Sequence, residues 1–265
     1  MKRILLPLLA FTAVLFAGCA SVPLTGRNRV MLVSDNEVLS SSLTQYNEYM
    51  TTATRSTNAA QTAMVQRVGK KIAAATEKFL ADNGLAAEVA QYSWEFNLVK
   101  DDEMNAFCMP GGKIVVYEGI MQLCQSDDDL AVVLGHEVAH AVAKHSNERL
   151  SQQMLASYGS AILDAALSTR SEAARQLGQT VYGLGANYGV MLPYSRKHEL
   201  EADRMGLIFM AMAGYNPSVA VTFWQKMAAA NPTAIPPFMS SHPSDTKRIA
   251  DIQKYLPEAQ KYYAK

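Results

Sequence analysis

The chain has 265 residues, 49% of them hydrophobic and 18% charged, enough for one globular domain with a real core plus an appendage. That composition excludes a disordered regulator, a collagen-like chain and a disulfide-dense mini-protein. Its 24 Lys and Arg balance its 24 Asp and Glu, and no basic stripe of the kind that binds nucleic acid is present.

The first segment stands apart from the fold. Lys2 and Arg3 lead an almost unbroken apolar run over residues 4–17, closed by Gly18 and Cys19, the layout of a secretory signal. The run is too short for a membrane-spanning helix of roughly 20 residues. The string Leu15-Phe16-Ala17-Gly18-Cys19 resembles a bacterial lipobox, whose cysteine becomes the lipid-bearing first residue of the mature chain. The expected organisation is a signal peptide over 1–18, a lipid-anchored tether over 19–33 and one domain over 34–265. The expected location is the cell envelope, as a periplasm-facing lipoprotein, with Ala20 after Cys19 suiting the outer membrane. Export would put Cys108 and Cys124 in an oxidising space; they either pair or act as small buried hydrophobes, and their spacing does not decide which.

Ser34 and Glu37 form a capping box, so a helix is expected to about Thr52. A second runs from about Ala59 to Leu80, with Val65, Val68, Ile72 and Phe79 on its buried stripe. The period then changes to alternation: Tyr92, Trp94, Phe96 and Leu98 share one side of a strand. After the Pro110-Gly111-Gly112 turn, residues 113–117 read as a second, β-branched strand. No G-x-G-x-x-G follows a strand, so no nucleotide cofactor is expected. Ser126 caps a long helix whose positive end carries Asp127, Asp128 and Asp129. More helix is expected through Met154 to Leu167, a flexible segment over the glycine-rich residues 178–193, helices from about Ser195 to Ala213 and from Pro217 to Ala230, and a last one from Ser244. The pattern predicts an α+β, predominantly α-helical fold with a small β-sheet.

His136-Glu137-Val138-Ala139-His140 carries the chemistry. Residues four apart on a helix project side by side, so His136 and His140 reach one zinc ion, and Glu137 lies beside its open coordination position. His145, about 140° further round a continuous helix, leaves that face for a solvated or polar setting. A catalytic zinc needs a third protein ligand. Glu199 and Asp203, four apart, both face one way from a side that also holds Leu207 and Ile208; Glu201 in the same acidic string is a rival.

These residues resemble the HtpX-type and CAAX-prenyl-protease-type zinc metallopeptidases, with their paired HExxH and ExxxD motifs. The resemblance covers about residues 60–255 and rests on Asn105-Ala106-Phe107, Gly111-Gly112-Lys113, the segment 136–140, Ser195-Arg196 with Glu199 and Asp203, and Ser241-His242-Pro243 followed by Arg248. Within the family the chain looks most similar to soluble, lipid-anchored periplasmic members. The resemblance implies a zincin-like domain whose edge strand borders the active-site cleft. It also implies one zinc per chain held by His136, His140 and Glu199, with Asp203 orienting a ligating imidazole. Glu137 would be the general base for a water activated at the zinc. His242 would lie over the site, either stabilising the oxyanion or filling the fourth zinc position, and Arg248 either pairs with a site carboxylate or stays at the surface. Residues 105–116 look like the edge strand to which an extended peptide adds, with Asn105 fixing a substrate backbone group. The implied substrates are misfolded or unassembled cell-envelope polypeptides. The alternative is an envelope chaperone or assembly factor whose zinc site is latent or mainly structural.

Overall fold

The computed structural model describes residues 19–187, 191–230, 242 and 246–263. In chain order the elements are β1 (Cys19–Ser21), β2 (Asn28–Val30), α1 (Asp35–Thr52), α2 (Ala59–Asp82), α3 (Ala86–Val89), β3 (Glu95–Val99), β4 (Ala106–Met109), β5 (Lys113–Tyr117) and α4 (Glu118–Met121). They continue with α5 (Asp127–Val142), α6 (His145–Leu167), α7 (Glu172–Ala186), α8 (Leu192–Met212), α9 (Val219–Ala229) and α10 (Thr246–Tyr263). The chain is mostly helical, as the hydrophobic spacing predicts. Contacts divide it into two units, Met1–Val38 with Lys144–Lys197 and Leu39–Ala143 with His198–Lys265.

The second unit holds the three-stranded sheet, ordered β3-β5-β4, with β3 parallel and β4 antiparallel to the central β5. The segment expected to be one edge strand is therefore an edge strand, β4, followed by the central strand. Gly111 and Gly112 take φ of 88° and 83° in the turn between them, a conformation that glycine adopts without a Cβ penalty. α2 packs on β3 and α5, and α5 also covers β4 and meets α9. Val65, Val68, Ile72 and Phe79 are buried as their spacing requires, and with Leu130, Leu134, Ile208 and Phe223 they make up much of the core. α5 starts on a capping box: the Ser126 hydroxyl accepts from Asp129 N at 3.1 Å while the Asp129 carboxylate takes Ser126 N at 3.0 Å.

Two glycines set how closely α5 and α8 approach. A Cβ on Gly135 would stand 2.8 Å from the Gly206 carbonyl oxygen, and one on Gly206 would stand 2.8 Å from the Gly135 carbonyl carbon. Backbone meets backbone there, one residue before His136 and three after Asp203.

In the first unit β1 and β2 pair antiparallel, Cys19 opposite Val30. The Arg27 guanidinium grips Glu148 of α6 with two bonds of 2.8 and 2.7 Å, and Leu32 N donates to Ser151 Oγ at 2.9 Å. Residues 19–33, read from sequence as a polar tether, thus fold onto α6. α6 and α7 form a helical hairpin, so the glycine-rich stretch read as flexible is helical as far as Ala186; Gly178 lies where a Cβ would be 2.5 Å from Leu167. His145 is buried, because the helix breaks before it, at Lys144 with φ 55°, and extrapolating the rotation from His140 fails. Cys108 and Cys124 are both free thiols. Residues 1–18, expected from sequence to be a signal peptide, and residues 231–241 and 243–245 lie outside the described residues. Among the described residues no helix is long and apolar enough to cross a membrane.

Candidate metal centre

Three imidazoles and one carboxylate converge. His136 Nε2 lies 3.0 Å from His140 Nε2 and 3.1 Å from His242 Nδ1. Glu199 Oε2 is 2.9 Å from His242 Nδ1 and 3.2 Å from His136 Nε2, and Glu199 Oε1 is 3.4 Å from His140 Nε2. One donor atom from each of these four residues lies within 4.8 Å of the others. The donor set fits zinc: ligands about 2.0–2.1 Å from a tetrahedral ion stand roughly 3.3 Å from one another. Two further observations agree. His136 Nδ1 faces Asp203 Oδ1 at 2.9 Å, so a proton on Nδ1 is held by the carboxylate and the Nε2 lone pair points inward. Glu199 Oε1, buried, has no hydrogen-bond partner among the described residues, a costly state unless a cation satisfies it.

α8 supplies Glu199 and Asp203 from one face. Glu201 is buried too but lies outside the cluster, so the helical spacing favours Glu199. Asp203 serves His136, the pairing that sequence left open. Its carboxylate also takes two bonds from Arg248, Nε at 2.7 Å and Nη2 at 2.8 Å. Burial alone would raise the Asp203 pKa, yet Arg248 and His136 hold it below the ordinary value. Arg248 is buried, not at the surface. It donates from Nη1 to the His242 carbonyl at 3.0 Å, and its guanidinium lies 3.7 Å over the Trp224 ring, whose face attracts a cation. Trp224 escaped the sequence reading, since a buried aromatic on an apolar helix looks like core.

Glu137 is buried and one of its oxygens is committed: Oε2 accepts from Cys108 N at 3.1 Å. Oε1 has no hydrogen-bond partner among the described residues and sits 3.4 Å from His242 Nε2. Burial raises its pKa, with the His242 and His136 rings opposing. The Cys108 bond also fixes the orientation of β4. Asn105 and Met109 carbonyls face β5, accepting from Tyr117 N and Gly112 N, so residues 106 and 108 turn their backbone groups outward, and the open edge of β4 borders Glu137. Asn105 stands at the start of that strand, outside the cluster; its Oδ1 accepts from Ala106 N at 2.9 Å.

Comparison with known proteins agrees with this geometry. Residues 59–256 match peptidase family M48, and the chain belongs to that family. It is 40% identical over 174 residues to the mitochondrial metalloendopeptidase OMA1 of Schizosaccharomyces pombe, covering 65% of this chain and 49% of that one. The human mitochondrial metalloendopeptidase OMA1 is 27% identical over 260 residues, 96% of this chain and 49% of the relative. The β-barrel assembly-enhancing protease of Escherichia coli is 27% identical over 165 residues, 60% and 34% of the two chains. The chain thus spans a third to a half of the length of these curated relatives. The particular likeness to lipid-anchored periplasmic members is corrected, because mitochondrial enzymes of yeasts and a plant match at 33–40% identity against 27% for the Escherichia coli protease. The expected location as a periplasm-facing outer-membrane lipoprotein is overturned by the same finding, since these relatives are mitochondrial by name.

Proposed function

We propose that the chain is a zinc-dependent endopeptidase with one metal centre, formed by His136, His140 and Glu199. The observation that carries this reading is the convergence of these donors beside a buried Glu137 that keeps one carboxylate oxygen unpartnered. When bound, zinc supplies Lewis acidity, lowering the pKa of water toward about 7 and polarising a scissile carbonyl. Asp203 holds the His136 proton on Nδ1, and Arg248 balances the buried negative charge of Asp203 and Glu199. Cys108 N pins Glu137 Oε2, so Oε1 is the atom that accepts the proton of the attacking water and passes it to the departing amine. A pKa raised by burial strengthens the carboxylate as a base.

Misfolded or unassembled chains, presented in extended form, are the proposed substrates. Such a chain would add to the edge of β4 through the outward carbonyls of Ala106 and Cys108, whose amides are held by Asn105 and Glu137, passing Glu137. Asn105, with its side chain on Ala106 N, would set how much of that edge is open to the substrate. His242 fills the position a substrate carbonyl would need, 2.9 Å from Glu199 and 3.1 Å from His136, which supports the latency role over the oxyanion role. The same closure is what a chaperone with a structural zinc site would have, but a structural site has no use for Glu137. We further propose removal of residues 1–18 and lipidation of Cys19, anchoring the chain to a membrane; the lipobox-like string supports this.

Casein cleavage by the zinc-loaded protein separates the readings. Glu137→Gln is expected to lose roughly 10²–10⁴-fold in rate with zinc content unchanged. A variant that keeps its zinc and cleaves as the wild type refutes the assignment. His242→Ala is expected to raise basal cleavage; a fall in rate would return His242 to oxyanion stabilisation.

A further inference from the structure

In the hairpin of α6 and α7 polar and apolar groups are exchanged relative to an ordinary helix pair. The seam is made of glycine and hydrogen bonds. Gly159 faces the Tyr182 ring, where a Cβ would meet the hydroxyl at 2.0 Å. The Tyr182 hydroxyl donates to the Ala156 carbonyl at 2.9 Å, Gln179 Nε2 to the Ser160 carbonyl at 3.0 Å, and Arg175 pairs with Asp164 at 2.8 Å. The large apolar side chains point outward instead. Leu177, Val181 and Leu184 of α7 are 66%, 61% and 52% exposed. Their spacing of four and three puts them on one face of the helix, opposite the seam residues. α7 has no buried residue among those described. A contiguous apolar face left in water is costly, and its presence marks an interaction site.

We infer that this face of α7 lies in the interfacial region of a lipid bilayer. The chain outside the structure names the occupant. The described residues begin at Cys19 in β1, directly after the apolar run 4–17. β1 and β2 are fastened to the root of α6 through Arg27–Glu148 and Leu32–Ser151. The body that carries the apolar face is therefore the body that an apolar leader, or a lipid on Cys19, holds at a membrane; to this extent the inference rests on the anchor reading above. The helices do not meet the length and hydropathy of a span, so they lie on the bilayer and do not cross it. From α6 to α7, the joining turn included, the charges are Arg149, Arg170 and Arg175 against Glu148, Asp164 and Glu172, which balance, so burial of apolar surface drives the contact and neutral lipid suffices. A single lipid chain gives only marginal anchoring, and stable attachment takes a second contact; α7 supplies it.

The test uses the full chain with an environment-sensitive fluorophore on Val181→Cys or on Gln176→Cys, an exposed position about 140° further round the helix. The parent chain, labelled in parallel, gives the background of the native cysteines. Flotation with phosphatidylcholine vesicles reports the anchor, and quenching by lipids carrying nitroxides on their tails reports the face. The expected result is flotation with a blue-shifted label at 181 quenched severalfold more than the label at 176. Floated chain with both labels equally exposed to water overturns the inference and leaves the anchor reading standing. A blue shift at 181 that follows protein concentration without vesicles assigns the face to a second copy and overturns it too; a chain that does not float overturns both readings. Replacing Leu177, Val181 and Leu184 together by Ser is expected to lower the floated fraction severalfold in a Cys19→Ser background.

Discussion

α5 and α7 are helices of similar length, 16 and 15 residues, each started by a serine cap, and they treat polarity in opposite ways. α5 buries twelve of its residues, including His136, Glu137 and Asp129, whereas α7 buries none of those described and turns its leucines and valine outward. In α5 the charged groups are inside because each has a partner: Asp203 for His136, Cys108 N for Glu137, Ser126 for Asp129. A charge taken out of water without a partner costs several kcal/mol, so those partners are a condition of the burial. In α7 the apolar groups are outside although nothing described covers them. The contrast teaches that burial here follows function: the helix of the metal centre spends stability on charge, and the helix of the hairpin leaves hydrophobic energy unused until a partner phase arrives.

The largest effect should come from Arg248. Its side chain is 3% exposed and faces Asp203 and Glu199, which are 2% and 4% exposed. Arg248→Met removes the cation and leaves two buried carboxylates facing the histidines alone. Breaking a buried pair from one side costs about 3–5 kcal/mol, to be read by urea denaturation of the metal-free protein. Arg248→Lys should recover only part, because an ammonium cannot reproduce the two-pronged bond to Asp203 or stack on Trp224. A loss below about 1 kcal/mol for Met would mean that the α5 side of the comparison is wrong, and that its charges are tolerated without this counter-ion.

Next in size is Gly135→Ala. The added methyl would meet the Gly206 carbonyl at 2.8 Å, which backbone cannot yield without moving a helix. Overpacking of this kind costs about 1–3 kcal/mol. It should also widen the α5–α8 spacing at the point where His136 meets Asp203 and His140 meets Glu199, lowering zinc affinity along with stability. Equilibrium dialysis against a zinc chelator reads the first effect and denaturation the second. Loss of stability with unchanged zinc affinity would uncouple the helix crossing from the metal centre.

How much of this was legible in the sequence follows the range of the interactions. His136, Glu137 and His140 are readable because one helix turn brings them together, and the caps at Ser34 and Ser126 are readable because they close within three residues. Glu199 and Asp203 are readable as a pair on one face. That Asp203 serves His136 is not, since it depends on the glycine contact between α5 and α8. The Cys108 amide and Trp224 were missed for the same reason: one depends on which edge of β4 stays open, the other on an arginine reaching over a ring from a different helix. The two misread segments share another cause. Glycines 178 and 183 suggest mobility by composition, yet Gly178 is there for close approach to Leu167. The polar residues of 19–33 suggest a tether by composition, yet Arg27 and the Leu32 amide find partners on α6.

The smallest expected effect is the sharpest test of the contrast. Val181→Ser on α7 removes apolar surface that is 61% exposed and breaks no hydrogen bond of the seam. Substitutions at such sites stay within about ±0.5 kcal/mol, so thermal or urea unfolding of the protein in detergent-free solution should hardly change. Val133→Ser in α5 is the matched control: Val133 is fully buried, and an unpartnered hydroxyl there adds desolvation to lost packing, about 1–3 kcal/mol. A stability loss at position 181 comparable to that at 133 would mean that α7 packs its apolar face against protein in solution. Near-neutrality at 181 together with weaker membrane flotation would show stability and attachment to be separate properties of the two helices, each set by what surrounds its apolar side.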